Sequence, residues 1–154
     1  MKEYPHEFWE SGAHGRGLRL LSRSGVTDGV VLDLGCASGP LAEPVAELGL
    51  HYVGADVDRH ALDDLERLGF EAHQLDLSLD EDTLVAALED VLAGRCLAAV
   101  LLLDVVQHLV DPAPLLGAVA RLDAKHDGIA LVVSIPNVTH LDVGIKLLLG
   151  RWDM

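Results

Sequence analysis

The sequence contains few cysteines and no long apolar run. Its two cysteines, Cys36 and Cys96, form no Cys-x-x-Cys pair and show no Cys/His spacing, so we expect reduced thiols and predict neither a disulfide framework nor a metal site. The longest apolar stretches, such as residues 97–103, are far shorter than the roughly 20 residues that a membrane-spanning helix needs. The opening residues carry acids and lack the apolar core of a secretory signal. We therefore expect a cytoplasmic protein with no membrane anchor.

Basic residues are also scarce, with 11 lysines and arginines against 25 aspartates and glutamates and a net charge of −14. The acids are concentrated in residues 51–90, which hold 12 acids and 2 bases, whereas residues 1–50 hold 7 acids and 4 bases. An acidic surface repels phosphate backbones, so we expect no nucleic-acid partner. The length of 154 residues, half of them hydrophobic, predicts one folded domain over residues 1–154.

Short apolar segments alternate with helical patterns along the chain. Strands are predicted from Val30 to the turn at Gly35, and at residues 51–55, about 70–75, 97–103 and 129–135. Helices are predicted at about residues 40–48 with Leu41, Val45 and Leu48 on the buried face, from the cap Asp58 to Gly69, from Asp80 to Gly94, from Asp111 through Leu122, and at 141–149. This order predicts an α/β fold with a doubly wound, mostly parallel, Rossmann-like sheet of about five strands flanked by helices. We expect the ligand site beyond the carboxyl ends of these strands.

Two features at those strand ends indicate a nucleoside-containing cofactor. The first strand runs into a loop of small residues, 33–39, whose glycines let the backbone approach a ligand closely. The second strand ends at Asp56, about 20 residues later, where a carboxylate can accept hydrogen bonds from both ribose hydroxyls. A dinucleotide fingerprint needs Gly-x-Gly-x-x-Gly, whereas here Ala37 stands between Gly35 and Gly39. The spacing therefore disfavours a bound pyrophosphate.

Over about residues 25–140 the sequence resembles the class I S-adenosylmethionine-dependent methyltransferases, in particular their small-molecule group. The matching segments are V-L-D-L-G-C-x-x-G from Val31, V-G-A-D ending at Asp56, Q-L-D-L ending at Leu77, and L-D-V-V-Q-H-L from Leu103. The resemblance implies that S-adenosylmethionine binds at these segments and that S-adenosylhomocysteine is the product. The cofactor residues that it implies are Asp33, Gly35, Cys36, Ala37 and Gly39 in the first loop, Asp56 and Val57 after the second strand, Asp76 and Leu77 after the third, and Asp104 and Val105 after the fourth.

Individual roles follow from the same resemblance. The first loop holds the methionine end of the cofactor, Asp56 binds the ribose, and Asp76 accepts from the adenine amino group. Gln107 stands where the family more often has a glutamate. His108 is the group next to the methyl-transfer point that could act as a base near neutral pH, although a histidine packing in a loop is the alternative. Other pocket candidates are Asn137 and His140, while His6, Phe8 and Trp9 are expected in a lid or a packing helix.

The chain departs from the family pattern at its end, because the family sheet normally finishes with an antiparallel hairpin. Only 19 residues follow Ile135, and they indicate a helix instead. Two explanations remain open: the chain is a piece of a longer protein, or a homodimer partner or neighbouring domain covers residues 141–149.

The expected function is transfer of a methyl group to oxygen or nitrogen of a small-molecule acceptor. Two alternatives stay open at this point. One is a non-catalytic or regulatory binding protein on the same scaffold, and the other is a nicotinamide-dependent oxidoreductase.

Overall fold

The computed structural model describes residues 12–135, which form one parallel sheet with helices on both faces. The strands are β1 Val30–Leu34, β2 His51–Asp56, β3 Glu71–Gln74, β4 Leu97–Leu103 and β5 Ala130–Ser134. The helices are α1 Ala13–Arg23, α2 Ala42–Glu47, α3 Arg59–Arg67, α4 Glu81–Leu92 and α5 Ala113–Lys125, with a short 3-10 turn at Val106–His108. The strand order is β3-β2-β1-β4-β5, and every pairing is parallel.

This arrangement confirms the predicted doubly wound, Rossmann-like fold. Successive strands add outward from β1 to β3, and the chain then crosses to β4 on the other side of β1. The carboxyl ends of β1 and β4 therefore flank the switch point, where ligands bind in open α/β sheets. Within residues 12–135 every strand pairing is parallel. The absence of a hairpin after Ile135 was predicted for residues outside this range.

The central strands β1 and β4 are buried on both faces, as the apolar run of β4 predicts. Every residue of β1 and β4 is buried. On one face, α4 and α5 pack through residues such as Leu88 and Leu122. On the other face, α1, α2 and α3 pack through residues such as Leu21, Val45 and Leu65. The sheet thus lies between two apolar layers.

Three aspartates begin helices, as expected. Asp58 accepts hydrogen bonds from the backbone N–H groups of the first turn of α3, and Asp80 does the same for α4. Asp111 accepts from the N–H of Ala113 at 3.0 Å, at the start of α5. Side-chain oxygens here satisfy N–H groups that have no partner within the helix.

Two details differ from the sequence-based expectations. The sequence pattern did not predict α1, because Gly15 and Gly17 interrupt it with residues that are poor helix formers. A Cβ at position 17 would lie 2.7 Å from Cδ1 of Leu103, so the glycine lets α1 pack directly on β4. Leu48 was expected on the buried face of α2 but is 40% exposed, because α2 ends at Glu47 and the chain turns away.

Several predictions concern residues outside the described range. These are the helix at 141–149, the pocket candidates Asn137 and His140, and the group His6, Phe8 and Trp9. Among residues 12–135, no helix is long and apolar enough to cross a bilayer.

Candidate functional site

A cleft of about 370 Å³ opens at the switch point, in the size range of small-molecule sites. Eight of the predicted site residues line it: Gly35, Asp56, Val57, Asp76, Leu77, Asp104, Val105 and His108. Three further residues, Leu75, Ser78 and Leu109, complete the lining. The structure therefore brings together side chains from the ends of four strands that are up to about seventy residues apart in sequence.

Asp56 ends β2 and joins two segments of the site. Its Oδ2 accepts from the N–H of Ala37 at 2.8 Å, and its Oδ1 accepts from the N–H of Asp58 at 2.9 Å. Each carboxylate oxygen has a second lone pair, so the group can still accept from a ligand hydroxyl. The carboxylate is thus held in place by neutral backbone donors and remains open towards the cleft.

The first loop requires glycine at position 35. Its φ is +80° and its N–H donates to the carbonyl oxygen of Ala55 at 2.7 Å. A Cβ at this position would come within 2.4 Å of Cγ2 of Val105. The backbone of the loop can therefore approach the end of β4 only because no side chain is present.

Asp33 lies beneath this loop and does not line the cleft. It is 4% exposed, and the Tyr52 hydroxyl donates to its Oδ2 at 2.8 Å. Burial raises the pKa of Asp33 to about 7; the Tyr52 hydrogen bond opposes this rise and the nearby charge of Asp56 adds to it. Asp33 is therefore buried against Tyr52 rather than part of the cleft surface.

The other first-loop residues also lie away from the cleft surface. Cys36 is buried, and burial raises the pKa of its thiol, with the charges of Asp33 and Asp56 adding to the effect. Gly39 has a φ of +73°, and a Cβ there would lie 2.4 Å from Cδ1 of Leu65. Ala37 is exposed on the loop, with a φ of +48°. Cofactor contact for these three residues remains a prediction.

The segment after β3 supplies one polar and two apolar groups. Oδ1 of Asp76 accepts from the N–H of Ser78 at 2.9 Å and from its hydroxyl, and these bonds lower the pKa of Asp76. The side chains of Leu75 and Leu77 on either side of it are buried. Ser78 was missed in the sequence, although an Asp-x-Ser turn is a recognisable signal. A carboxylate beside an apolar surface suits a purine with an exocyclic amine.

Asp104 lies directly after β4 with a φ of +57°, which is uncommon outside glycine. Ser134 at the end of β5 holds it there: the N–H of Asp104 donates to the Ser134 hydroxyl oxygen at 2.9 Å, and that hydroxyl donates to Oδ1 of Asp104 at 2.8 Å. Strained residues of this kind are found where the surrounding structure fixes a functional geometry.

His108 ends the 3-10 turn after β4 and is exposed at the cleft. Its Nε2 lies 3.4 Å from the amide nitrogen of Gln107, a long contact that leaves the imidazole accessible. In the described part of the chain, no group of three or more His, Cys, Asp or Glu residues is arranged to hold a metal ion.

Comparisons with known proteins identify the family. Residues 6–154 match the family model described as "Methyltransferase domain". A ubiquinone biosynthesis O-methyltransferase of Bartonella quintana is 36% identical over 106 residues, covering 68% of this chain and 40% of the relative. The enzyme of that name from Cereibacter sphaeroides is 38% identical over 125 residues, covering 80% of this chain and 48% of the relative. The chain thus spans less than half the length of these two relatives.

Solved structures share the fold. A SAM-dependent methyltransferase from Archaeoglobus fulgidus superposes with a TM-score of 0.58 at 22% identity, covering 90% of this chain and 59% of that one. The magnesium protoporphyrin IX methyltransferase of Synechocystis, solved with bound SAH, gives 0.59 at 17% identity, covering 92% and 62%. None of these relatives supports a nicotinamide enzyme or a non-catalytic protein. The chain belongs to the class I S-adenosylmethionine-dependent methyltransferase family.

Proposed function

We propose that this chain binds S-adenosylmethionine in the cleft at the switch point and transfers its methyl group to an oxygen or nitrogen of a small-molecule acceptor. The observation that carries the proposal is the convergence of Asp56, Asp76 and Asp104 on one cleft with Gly35 at its base. The relatives named as O-methyltransferases support oxygen as the acceptor atom.

The cleft residues fit the proposed cofactor. Asp56 would hold the ribose hydroxyls, because its carboxylate is fixed by two backbone N–H groups yet keeps free lone pairs. Asp76 would accept from the adenine amine, with Val57 and Leu77 against the ring. The methionine end would lie along the loop at Gly35, next to Val105 and Asp104.

The chemistry required of the protein is mainly orientation. When bound, the cofactor supplies a methyl group already activated by the sulfonium. The residues around Asp104 would hold the acceptor near that point. We assign His108 as the group that takes the proton from an acceptor hydroxyl onto a ring nitrogen, since neutral imidazole carries a free lone pair.

The proposal extends to the surroundings of the chain. We propose a single domain in the cytoplasm, in keeping with the two free thiols at Cys36 and Cys96. We also propose that a second copy of the chain, or a neighbouring domain, covers its exposed apolar surface. Leu131 and Val133 of β5 are 45% and 40% exposed, and they support such a partner. Sedimentation of the purified chain as a monomer would contradict the homodimer.

Calorimetric titration with S-adenosylmethionine and S-adenosylhomocysteine tests the cofactor site. Asp56→Ala is expected to weaken binding by about 2 kcal/mol, because a hydrogen-bonded carboxylate is lost. Asp90→Ala is the matched control, since it removes an equal charge from an exposed position on α4 away from the cleft. Unchanged affinity in Asp56→Ala, or no binding by the folded wild type, contradicts the proposal.

Steady-state kinetics with catechol as acceptor test His108. His108→Asn is expected to lower kcat by about 100-fold, in line with the loss of a general base, and to leave the affinity for S-adenosylhomocysteine unchanged. His60→Asn, on the exposed surface of α3, is the control. An unchanged kcat in His108→Asn would show that positioning alone drives the transfer.

A further inference from the structure

A second cleft, with a volume of about 520 Å³, lies between α1 and the carboxyl ends of β4 and β5 and adjoins the proposed cofactor cleft. What we infer from it rests on the proposed function. Asp104 lines both clefts. A molecule bound in the second cleft would therefore reach the first at Asp104, where the methyl group is expected.

The walls of this second cleft are largely apolar. They include Leu20, Leu103, Val132, Val133 and Ile135. The polar groups are few, and two of them, Asp104 and Ser134, hydrogen-bond to each other. Apolar walls with a few placed polar groups are the usual composition of a small-molecule site.

The remaining polar group is Arg16 on α1, the only base lining this cleft among the described residues. Its Nε donates to the carbonyl oxygen of Gly12 at 3.4 Å, and no acceptor within residues 12–135 is bonded to its two terminal nitrogens. No ion pair joins Arg16 to an acid within residues 12–135, whereas Arg59, Arg67, Arg95 and Arg121 all pair with acids there.

The charge of α1 contrasts with that of the whole chain. Residues 13–23 contain three arginines and no acid, although the chain has a net charge of −14. A local excess of one sign beside a low-dielectric cleft concentrates ligands of the opposite sign. The charge of α1 therefore offsets the repulsion that Asp104 exerts on an anion entering this cleft.

We propose that the second cleft binds the methyl acceptor and that Arg16 selects acceptors carrying a carboxylate. The planar guanidinium matches a carboxylate in both geometry and charge. In this arrangement the carboxylate lies at Arg16, the apolar body lies between α1 and β5, and the nucleophilic hydroxyl points to Asp104. Arg16 is a specificity-determining residue and takes no part in proton transfer.

The experiment compares 3,4-dihydroxybenzoate with 3,4-dihydroxybenzamide, which differ only in the anionic group. Both are titrated calorimetrically into the full chain saturated with S-adenosylhomocysteine. Wild type is expected to bind the acid about tenfold more tightly than the amide, the size of one charge-assisted hydrogen bond. Arg16→Gln is expected to reduce this ratio to below about twofold. Arg23→Gln removes the same charge from the far end of α1, outside the cleft, and is expected to keep the ratio.

The outcomes separate this inference from the function on which it rests. If S-adenosylhomocysteine binds but the amide binds as tightly as the acid, or neither binds, the carboxylate assignment is overturned while the cofactor site stands. A tenfold ratio that persists in Arg16→Gln, or disappears equally in Arg23→Gln, overturns the role of Arg16. If the wild type fails to bind S-adenosylhomocysteine, the proposed function and this inference both fail.

Discussion

Charged side chains have different partners at the two ends of the sheet. At the amino end, Glu71 accepts from both terminal nitrogens of Arg95 at 2.7 Å. At the carboxyl end four aspartates, at positions 33, 56, 76 and 104, make no ion pair with any described residue. They accept instead from backbone N–H groups and hydroxyls. Charges are paired at the amino end, whereas at the carboxyl end Asp56, Asp76 and Asp104 line the cleft without an ion pair to any described residue, as expected if this end binds a ligand.

Glycines show the same division. The glycines that follow the helices near the amino end, such as Gly49, Gly69 and Gly94, have positive φ and open space where a Cβ would stand. Gly35 and Gly39 at the carboxyl end also have positive φ, but neighbouring side chains would contact a Cβ at 2.4 Å. Glycine is needed in the first group only for the backbone conformation of the turn. In the second group it also lets the backbone pack closely against other elements.

Replacing one glycine by alanine at each end of the sheet is expected to give the largest difference between the two ends in the free energy of unfolding. Gly35→Ala combines an unfavourable φ with overpacking against Val105, and we expect a loss of about 3 kcal/mol in the free energy of unfolding. Gly69→Ala meets only the unfavourable φ and should cost about 1 kcal/mol. Urea denaturation monitored by circular dichroism measures both. Equal losses would show that crowding at the carboxyl end is unimportant.

The buried acid Asp33 gives the carboxyl end an unusual pH dependence. Its pKa in the folded chain is raised from 3.8 to about 7, mainly by burial. The folded state therefore binds the proton more tightly than the unfolded state, and stability falls as pH rises from about 4 to about 7. Asp33→Asn removes this contribution, so the stability of wild type relative to the variant should fall by about 1 kcal/mol per pH unit within that window.

Urea denaturation of wild type and Asp33→Asn at several pH values measures this difference. Asparagine can still accept from the Tyr52 hydroxyl, so the variant keeps the hydrogen bond while it loses the charge. A difference that is constant between pH 4 and pH 7 would show that Asp33 ionises normally in the folded chain.

Much of this fold could be predicted from the sequence because β4 is a continuous apolar run and short apolar segments alternate with capped helices along the rest of the chain. The run at β4 and the caps Asp58 and Asp80 are local signals, and the structure confirms them. The strand-end acids could also be predicted to converge, because parallel strands end at one edge of the sheet. These features need only residues that are close in sequence and the rule for parallel sheets.

Other features depend on contacts that the local sequence does not contain. Helix α1 was missed because glycine is a poor helix former, and the reason for Gly17 is its packing against Leu103, 86 positions later. The link between Asp104 and Ser134 joins residues 30 positions apart. The position of the Asp33 side chain, buried away from the cleft, follows from its hydrogen bond to Tyr52 on the neighbouring strand β2. In each case the partner is set by tertiary packing rather than by periodicity.

The smallest expected effect on stability comes from removing a charge at the amino end of the sheet, where the charged side chains form ion pairs. The bonds from Arg95, with smaller ones from His73 and His51, lower the pKa of Glu71 well below its usual value of 4.5. A depressed carboxyl pKa stabilises the fold above about pH 4.5, and this stabilisation is lost as pH falls below it. Arg95→Gln is therefore expected to cost about 1 kcal/mol at pH 7, since the pair is partly exposed and screened by solvent.

The cost of Arg95→Gln should shrink as pH falls below about 4.5, because Glu71 then protonates in the unfolded chain and in the variant. Lys125→Gln is the control: it breaks the more exposed pair with Glu89 and should cost only about 0.3 kcal/mol. Binding of S-adenosylhomocysteine should be unchanged in both variants, because neither residue lines the cleft. A loss of cofactor affinity in Arg95→Gln would show that the two ends of the sheet are coupled, and that the separation of a structural end from a ligand-binding end is wrong.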